Sequence, residues 1–251
     1  MDSFFKVAKI ALKPFGIKNR LDLRLMWRYK KYLFSTIGLL RESQSQFSQD
    51  VFVACELEIL RNKRIGYFVE FGATDGIKLS NTYRLEKKYK WNGILSEPAK
   101  SWQESLKKNR KCNIDLRCVT EYSGEQIEFN EAIDSVYSSL EKYSYLDHHS
   151  QKRLAGKKYT VPSISLNDLL SSFKAPRDID YLSIDTEGGE YEILRALNFA
   201  QWNIKIITVE HNFENKRSKI HQLLTSHGFR RVLENSTYVD DWYVKNRGSS
   251  E

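Results

Sequence analysis

The sequence predicts an α/β fold: a mostly parallel sheet with helices on both faces, a C-terminal antiparallel strand and an N-terminal helical extension. Short apolar runs typical of strands alternate with longer stretches typical of helices along the 251 residues, and this alternation favours a parallel sheet. Several of the strand-like runs end in an acidic residue, and two of them lead directly into glycines. Because ligands bind beyond the carboxyl ends of parallel strands, the sequence predicts a polar site at that edge of the sheet.

The positive charge of the chain is concentrated at its N-terminus. Residues 1–41 hold ten basic and two acidic side chains, which accounts for the formal net charge of +8 of the whole chain. Apolar residues also recur there on one side of a predicted helix, at Phe4, Ala8, Ala11, Leu12 and Phe15. We therefore divide the chain into a basic amphipathic helical extension, residues 1–46, and a main domain, residues 47–251.

Amphipathic helices usually face a core, so one interpretation is that the extension covers the main domain or the partner in a homodimer. The other is that it rests on an anionic membrane surface, as a peripheral contact at the inner face of the membrane. No nucleic-acid-binding motif is present, so we do not expect a nucleic acid partner.

The rest of the composition favours a cytoplasmic protein. No apolar run reaches the ~20 residues that a membrane-spanning helix needs, and Lys6, Lys9 and Lys13 interrupt any signal-peptide core. The three cysteines form no CxxC pair, so reduced thiols are expected rather than a disulfide framework.

The strongest local signal is the stretch 67–76, a strand that runs into a turn bounded by Gly72 and Gly76. Glycine tolerates positive φ and lets backbone approach a ligand. Ser80 lies where a following helix would be capped. The other predicted strands are 94–98, 116–119, 126–130, 181–184, 204–210, 229–234 and 237–244, and the predicted helices are 50–61, 80–87, 102–109, 165–170, 191–197 and 216–227. Residues 134–153 are rich in tyrosine and serine and are expected to form a long loop over the site.

Four strand ends carry acids, at Glu70, Glu97, Asp185 and Glu210. The turn is GxxxG, without the lysine of a P-loop or the third glycine of a dinucleotide fold. An acid about 25 residues beyond the first glycine, at the end of the second strand, is the position that binds a ribose diol. A ligand with a diol and a positive centre fits such an edge, and S-adenosylmethionine has both.

Four ordered blocks of the chain resemble the FkbM-type methyltransferases, which use S-adenosylmethionine, over residues 46–245. The blocks are 48–50 with 68–86, 91–98, 180–190 and 208–210, and the departures from the pattern are small, at Ser96 and Thr186. The resemblance implies a Rossmann-like class I methyltransferase sheet. It also implies cofactor-binding roles for Glu70, Gly72, Ala73, Asp75, Gly76, Asn81, Glu97 and Asp185, the last near the methyl-bearing end.

Methyl transfer to an alcohol needs a base close to the acceptor oxygen. The candidate catalytic residues are Asp185, Glu210 and His211, and a structural hydrogen bond is the alternative for the histidine. Candidate substrate-binding residues are Glu187, Glu190, Tyr137 and Ser139; the two glutamates would otherwise be acids favoured at a helix N-terminus. A Mg²⁺ site at Asp185, Glu210 and Asn212 is a less favoured variant, similar to metal-dependent O-methyltransferases.

The function expected is O-methylation of a sugar hydroxyl, on a surface polysaccharide or its precursor. A small-molecule natural product is the alternative acceptor. A catalytically silent cofactor-binding domain and an NAD-dependent oxidoreductase are the competing classes; the intact residues of the turn disfavour the first, and the missing glycine disfavours the second.

Overall fold

The computed structural model describes residues 17, 19–62, 65–132, 139–140, 156–186, 188–212, 216–234 and 236–246, with backbone alone at 32–33 and 139–140. Nine α-helices lie in these residues: α1 Arg20–Arg28, α2 Leu33–Glu42, α3 Gln49–Glu56, α4 Ile59–Asn62, α5 Tyr83–Lys87, α6 Gln103–Asn109, α7 Leu166–Ser172, α8 Glu190–Ala196 and α9 Arg217–Ser226. The strands there are β1 Tyr67–Phe71, β2 Asn92–Ser96, β3 Asn113–Asp115, β4 Cys118–Thr120, β5 Gln126–Glu131, β6 Ser139–Leu140, β7 Lys157–Ser165, β8 Asp178–Ile184, β9 Asn203–Glu210, β10 Phe229–Val232 and β11 Asp240–Lys245.

Seven strands form the main sheet, in the order β10-β11-β9-β8-β1-β2-β3. The pairs from β9 to β3 are parallel, whereas β11 runs antiparallel to both of its neighbours. This confirms the predicted mostly parallel sheet with a C-terminal antiparallel strand. The register places Glu70 beside Leu95 and Ser183, and Glu210 beside Asp240, so the carboxyl ends of the parallel strands and the start of β11 meet at one edge.

Alternate residues of the central strands pack against two different layers of helices. All five residues of β1 are buried; Phe68 belongs to the cluster that contains α1 to α6, while Val69 and Phe71 belong to the one that contains α7 to α9. This alternation is the geometry of a strand buried on both faces. Each large apolar side chain buried in this way contributes about 1.5–3 kcal/mol, and the helices lie on both faces, as predicted.

Helices α1 and α2 pack against the main domain. Leu21, Leu25 and Tyr29 recur every four residues and are buried in the same cluster as Phe68, because residues four apart share one helix face. Asn19 caps α1, and its capping partner Asp22 accepts a hydrogen bond from the Ser48 hydroxyl at 2.9 Å. The predicted helix at residues 4–15 lies outside the described residues.

A second sheet, in the order β4-β7-β5-β6, was only partly anticipated. The strand predicted at 116–119 overlaps β4, which begins at Cys118 and lies in the second sheet, whereas β3, which ends at Asp115 in the main sheet, was missed. Strand β7 was missed because Pro162 interrupts its run, and proline argues against a strand interior. In the structure Pro162 lies opposite Gln126 in an antiparallel pair. Most of the predicted loop 134–153 lies outside the described residues, apart from β6.

No helix among the described residues is long and apolar enough to cross a bilayer.

Candidate active site

A cavity of about 310 Å³ opens at the carboxyl edge of the main sheet. Its walls come from the ends of β1, β2, β8 and β9, the start of β11, the second sheet, and the segment that precedes α3. Five carboxylates line it, and no lysine or arginine among the described residues does; the five are Glu70, Glu97, Asp185, Glu210 and Asp240. The four predicted acids therefore do share one site, joined by a fifth.

The glycine turn packs against the end of β8. Gly72 has φ +69°, and a Cβ at this position would lie 2.4 Å from the backbone oxygen of Asp185. Only glycine fits both the positive φ and this close approach. The two strand ends that flank the cavity are consequently held together by direct backbone contact.

Ala73, Asp75 and Gly76 build the turn rather than the cavity wall, which corrects the expectation that all three contact the cofactor. Asp75 Oδ1 accepts hydrogen bonds from the backbone N–H groups of Ile77 and Lys78 at 2.8 and 2.7 Å. The Gly76 N–H donates to the Ala73 carbonyl at 2.8 Å. The Asp75 and Gly76 carbonyls accept from Asn109 and Arg110, and none of the three residues lines the cavity.

Glu70 lines the cavity with its carboxylate already held by the chain. Its oxygens accept hydrogen bonds from the Ser80 hydroxyl at 3.0 Å, the Asn81 N–H at 2.6 Å and the Thr82 hydroxyl at 2.5 Å. Burial raises the pKa of Glu70, and Arg110 opposes this. Residues 80–82 therefore hold Glu70. Ser80 Oγ also accepts from the Tyr83 N–H at 3.1 Å at the start of α5, whereas Thr82 makes no side-chain capping bond.

Arg110 was not identified from the sequence, although it organises the turn. Its fully buried guanidinium donates to Glu86 Oε2 at 2.6 Å, to the Gly76 carbonyl at 3.1 Å and to the Thr82 hydroxyl at 2.9 Å. One arginine therefore joins the glycine turn, the residues after it and α5. An arginine directly after a helix is common, so the position of Arg110 after α6 does not indicate its role in the sequence alone.

Glu97 is buried at the end of β2. Oε2 accepts from the Thr74 N–H and Oε1 from the Ala99 N–H, both at 2.8 Å. Burial raises the pKa of Glu97 to about 7, the two backbone donors oppose the shift, and Glu131 and Asp185 add to it. Each carboxylate oxygen can accept a further hydrogen bond from a ligand hydroxyl.

Asp185 and Glu210 face one another across the ends of β8 and β9. A hydrogen bond with Glu210 lowers the pKa of Asp185, but burial is the larger effect and raises it to about 6. Glu190 and Glu70 add to the shift, so the protonated form of Asp185 is favoured relative to an exposed aspartate.

Asp240 and Gln49 were also missed. Gln49 Nε2 donates to Asp240 Oδ2 at 2.7 Å, and both residues line the cavity. A signal for Asp240 did exist: an antiparallel strand places its first residue, not its last, at the carboxyl edge of its parallel neighbours. Gln49 lies on a helix before β1, and nothing in its local pattern shows that it returns to this edge.

Two predicted site residues are placed elsewhere, and both expectations are corrected. The His211 side chain is buried away from the cavity, with Nε2 3.8 Å from Asp241 Oδ1, because successive residues at the end of β9 face opposite sides. Burial lowers its pKa. Glu190 Oε1 accepts from Thr186 N–H at 3.0 Å, Thr186 Oγ1 at 2.8 Å and Gly188 N–H at 3.0 Å, so it holds the turn after β8.

Three candidate substrate contacts cannot be placed: Glu187 and Tyr137 lie outside the described residues, and Ser139 is described by backbone alone, in β6. Asp185, Glu210 and Asn212 all line the cavity. Among the residues that the structure describes, no group of three or more His, Cys, Asp or Glu is arranged to hold a metal ion.

An open, mostly parallel sheet with a cavity at its carboxyl edge, beside a glycine turn, is typical of α/β proteins that bind small molecules at that edge. The model of the methyltransferase FkbM domain matches residues 70–231, and the chain belongs to this family. The predicted Rossmann-like methyltransferase fold is thereby confirmed, and residues 70–231 carry the domain of a methyltransferase family.

Similar solved structures are also methyltransferases. A methyltransferase FkbM from Methylobacillus flagellatus KT has 10% identity and a TM-score of 0.47, over 95% of this chain and 60% of that one, so this chain spans less than two thirds of its length. Precorrin-6y C5,15-methyltransferase from Geobacter metallireducens GS-15 has 10% identity and a TM-score of 0.38, over 81% of this chain and 90% of that one. Ribosomal protein L11 methylase from Lactobacillus delbrueckii subsp. bulgaricus has 12% identity and a TM-score of 0.37, over 79% of this chain and 80% of that one. A comparison with curated proteins finds no match.

Proposed function

We propose that the protein transfers a methyl group from S-adenosylmethionine to a hydroxyl oxygen, on a sugar of a surface polysaccharide or its precursor. The observation that carries the proposal is the charge of the cavity, which has five carboxylates and no described lysine or arginine in its lining. Such a site favours a cationic ligand and hydroxyl donors over phosphates, because a desolvated charge needs a partner of opposite sign or a hydrogen bond.

The residues present fit the cofactor. Glu97 has acceptor capacity left for a diol. The Asn81 side chain donates through Nδ2 to Ser183 Oγ at 2.9 Å, while its buried Oδ1 has no hydrogen-bond partner among the described residues; an ammonium group would satisfy it. Glu70 fixes the Asn81 backbone, so it would act on the cofactor through Asn81. When bound, the cofactor supplies a methyl group on a positively charged sulfur.

The acceptor side combines carboxylates with aromatic rings. Asp185, Glu210 and Asp240 line the cavity together with Phe47 and Phe129. Carboxylates accept hydrogen bonds from hydroxyls, and the ring faces suit the C–H surface of a sugar. This favours a polyhydroxylated acceptor. A small natural product is the second acceptor class, since the cavity of about 310 Å³ also suits a drug-sized molecule.

The proposal is tested first by calorimetric titration with S-adenosylmethionine, using Glu97→Ala as the variant and Glu234→Ala, at an exposed position, as the matched control. Wild type and control should bind, and Glu97→Ala should bind at least tenfold more weakly. No binding by the wild type would contradict the proposal.

Labelled methyl transfer onto glycan extracts and onto a panel of small phenols and alcohols then separates the two acceptor classes. Repeating the assay after thorough chelation tests the Mg²⁺ variant: loss of activity, restored by Mg²⁺, would establish it.

We also propose that the N-terminal segment rests on an anionic membrane surface. Trp27 and Phe34 are 76% and 88% exposed, which is unusual for large aromatic side chains. Lys30 lies over the Trp27 ring at 5.1 Å. Aromatic rings beside basic residues are typical of interfacial segments, and the net charge of residues 1–41 complements anionic lipid.

A further inference from the structure

The five cavity carboxylates differ in how many of their oxygens the chain already uses. Glu70 accepts three hydrogen bonds and has an arginine 3.8 Å away. Glu97 uses both oxygens for backbone N–H groups, and Asp185 shares a hydrogen bond with Glu210. Asp240 accepts from Gln49 Nε2 at 2.7 Å and from Trp242 Nε1 at 3.4 Å, both at Oδ2.

The other oxygen, Asp240 Oδ1, accepts no hydrogen bond and forms no ion pair within the described residues. One oxygen is anchored and the other is left for a ligand, on a side chain that lines the cavity. A general base needs this arrangement, because its orientation must be fixed while one lone pair remains available for the proton.

We propose that Asp240 is the base that takes the proton from the acceptor hydroxyl, with Gln49 as its positioning residue; this rests on the proposed function. Asp240 Oδ1 accepts the hydroxyl proton as the acceptor O–H bond breaks. The oxygen lone pair forms the new O–CH₃ bond, and the electron pair of the broken C–S bond stays on the sulfur, which becomes neutral. The protonated Asp240 then releases its proton to water.

The surroundings of Asp240 support this role. Burial raises the pKa of Asp240 to about 7, the Gln49 and Trp242 donors oppose the shift, and Asp185 and Asp241 add to it. Glu210 lies opposite in the strand register, and no cation among the described residues forms an ion pair with Asp240. A base whose pKa lies near 7 combines a useful ionised fraction with a strong affinity for the proton.

Gln49 is itself fixed in one orientation. Its Oε1 accepts from the Phe47 N–H at 2.9 Å, so its amide must present Nε2 to Asp240. The Phe47 ring stacks on Tyr238, with centroids 5.3 Å apart. The segment before α3 and the turn before β11 therefore meet twice beside Asp240, and Gln49 fixes the carboxylate from this contact.

The first experiment needs no acceptor. ¹³C-carboxyl NMR of Asp-labelled protein identifies the Asp240 signal by its loss in Asp240→Asn, and a pH titration measures its pKa. We expect a value well above the ordinary range in wild type, and a higher value in Gln49→Leu, because the donor that stabilises the charged form is removed. Titration below about pH 4.5 would overturn the proposal.

The second experiment measures labelled methyl transfer to a panel of methyl pyranosides and short oligosaccharides. Asp240→Asn should lower kcat by about 10²- to 10⁴-fold, with cofactor affinity within threefold of wild type. Gln49→Leu should move the acid limb of the kcat profile to higher pH, which a merely structural role would not do. Asp178→Asn, exposed at the other end of β8, is the control.

Retained kcat in Asp240→Asn would refute Asp240 as the base. Cofactor binding by the wild type without transfer to any member of the panel would instead refute the sugar acceptor, and the NMR titration would still decide the role of Asp240.

Discussion

The guanidinium of Arg110 lies 3.8 Å from the carboxylate of Glu70, and the hydroxyls of Ser80 and Thr82 are hydrogen-bonded to both side chains. The charge of Glu70 is therefore balanced inside the protein, by a residue that also binds Gly76 and Glu86. A buried acid at a strand end needs such compensation. Because the chain supplies it, Glu70 can hold the turn in shape before any ligand arrives.

Arg110→Met should destabilise the fold. Removing one partner of a buried ion pair costs about 3–5 kcal/mol, and here two carboxylates lose their cation. Urea denaturation measures the change. Arg195→Met, at an exposed pair with Glu121, should leave the midpoint unchanged; equal effects of the two substitutions would contradict the role given to Arg110.

Gly72→Ala tests the contact between the turn and β8. The left-handed backbone alone costs roughly 1–2 kcal/mol for alanine, and the clash with Asp185 adds to it. Gly124→Ala is the matched control, since its φ is +86° but nothing lies within 4 Å of the added carbon. We expect a lower melting temperature for Gly72→Ala than for Gly124→Ala, and at least tenfold weaker cofactor binding only for the former.

The free energy of unfolding should depend on pH through Asp240. Its pKa is raised from 3.8 to about 7, so the folded state binds the proton more tightly than the unfolded state does. Relative to Asp240→Asn, wild type should be most stable below about pH 4 and should lose up to about 1.4 kcal/mol per pH unit until about pH 7. Denaturation of the ligand-free proteins from pH 4 to pH 8 measures this, and a flat difference would contradict the buried position of Asp240.

Replacing Trp27 and Phe34 together by serine should reduce binding to anionic vesicles at least tenfold, because the two exposed rings would no longer enter the interface. Binding by the wild type should also weaken as the salt concentration rises from about 0.1 M to about 1 M, because salt screens the attraction between the basic side chains and the anionic lipids. Ile65→Ser, at a residue 70% exposed, is the control. If the double variant instead changes the oligomeric state, the surface that carries Trp27 and Phe34 contacts a second copy of the chain.

The parts of the fold that depend on local pattern were accessible from the sequence. The strand at Tyr67–Phe71 and the glycine turn are visible in the local sequence. The shared position of the acids follows because the carboxyl ends of parallel strands meet at one edge of the sheet. The order of strands in the second sheet was not accessible, because Pro162 hides β7 and the turn between β3 and β4 is only two residues long.

The site was predicted less completely than the fold. The sequence shows which residues end a strand, but not which oxygens are already bound. Glu190 and Asp75 look like free acids in the sequence, and the structure uses both within their own turns. Arg110 contacts Glu70, 40 residues earlier in the chain, and Gln49 contacts Asp240, 191 residues later. Local periodicity carries no information about such distant contacts.

The hydrogen bond between Gln49 and Asp240 also has a consequence for the order in which the protein is assembled. Its partners are 191 residues apart, and contacts between distant residues form only after the intervening chain has been ordered. A nascent chain would therefore complete the glycine turn well before this side of the cavity. The wall at β11, which carries Asp240, is the last part of the cavity to be completed.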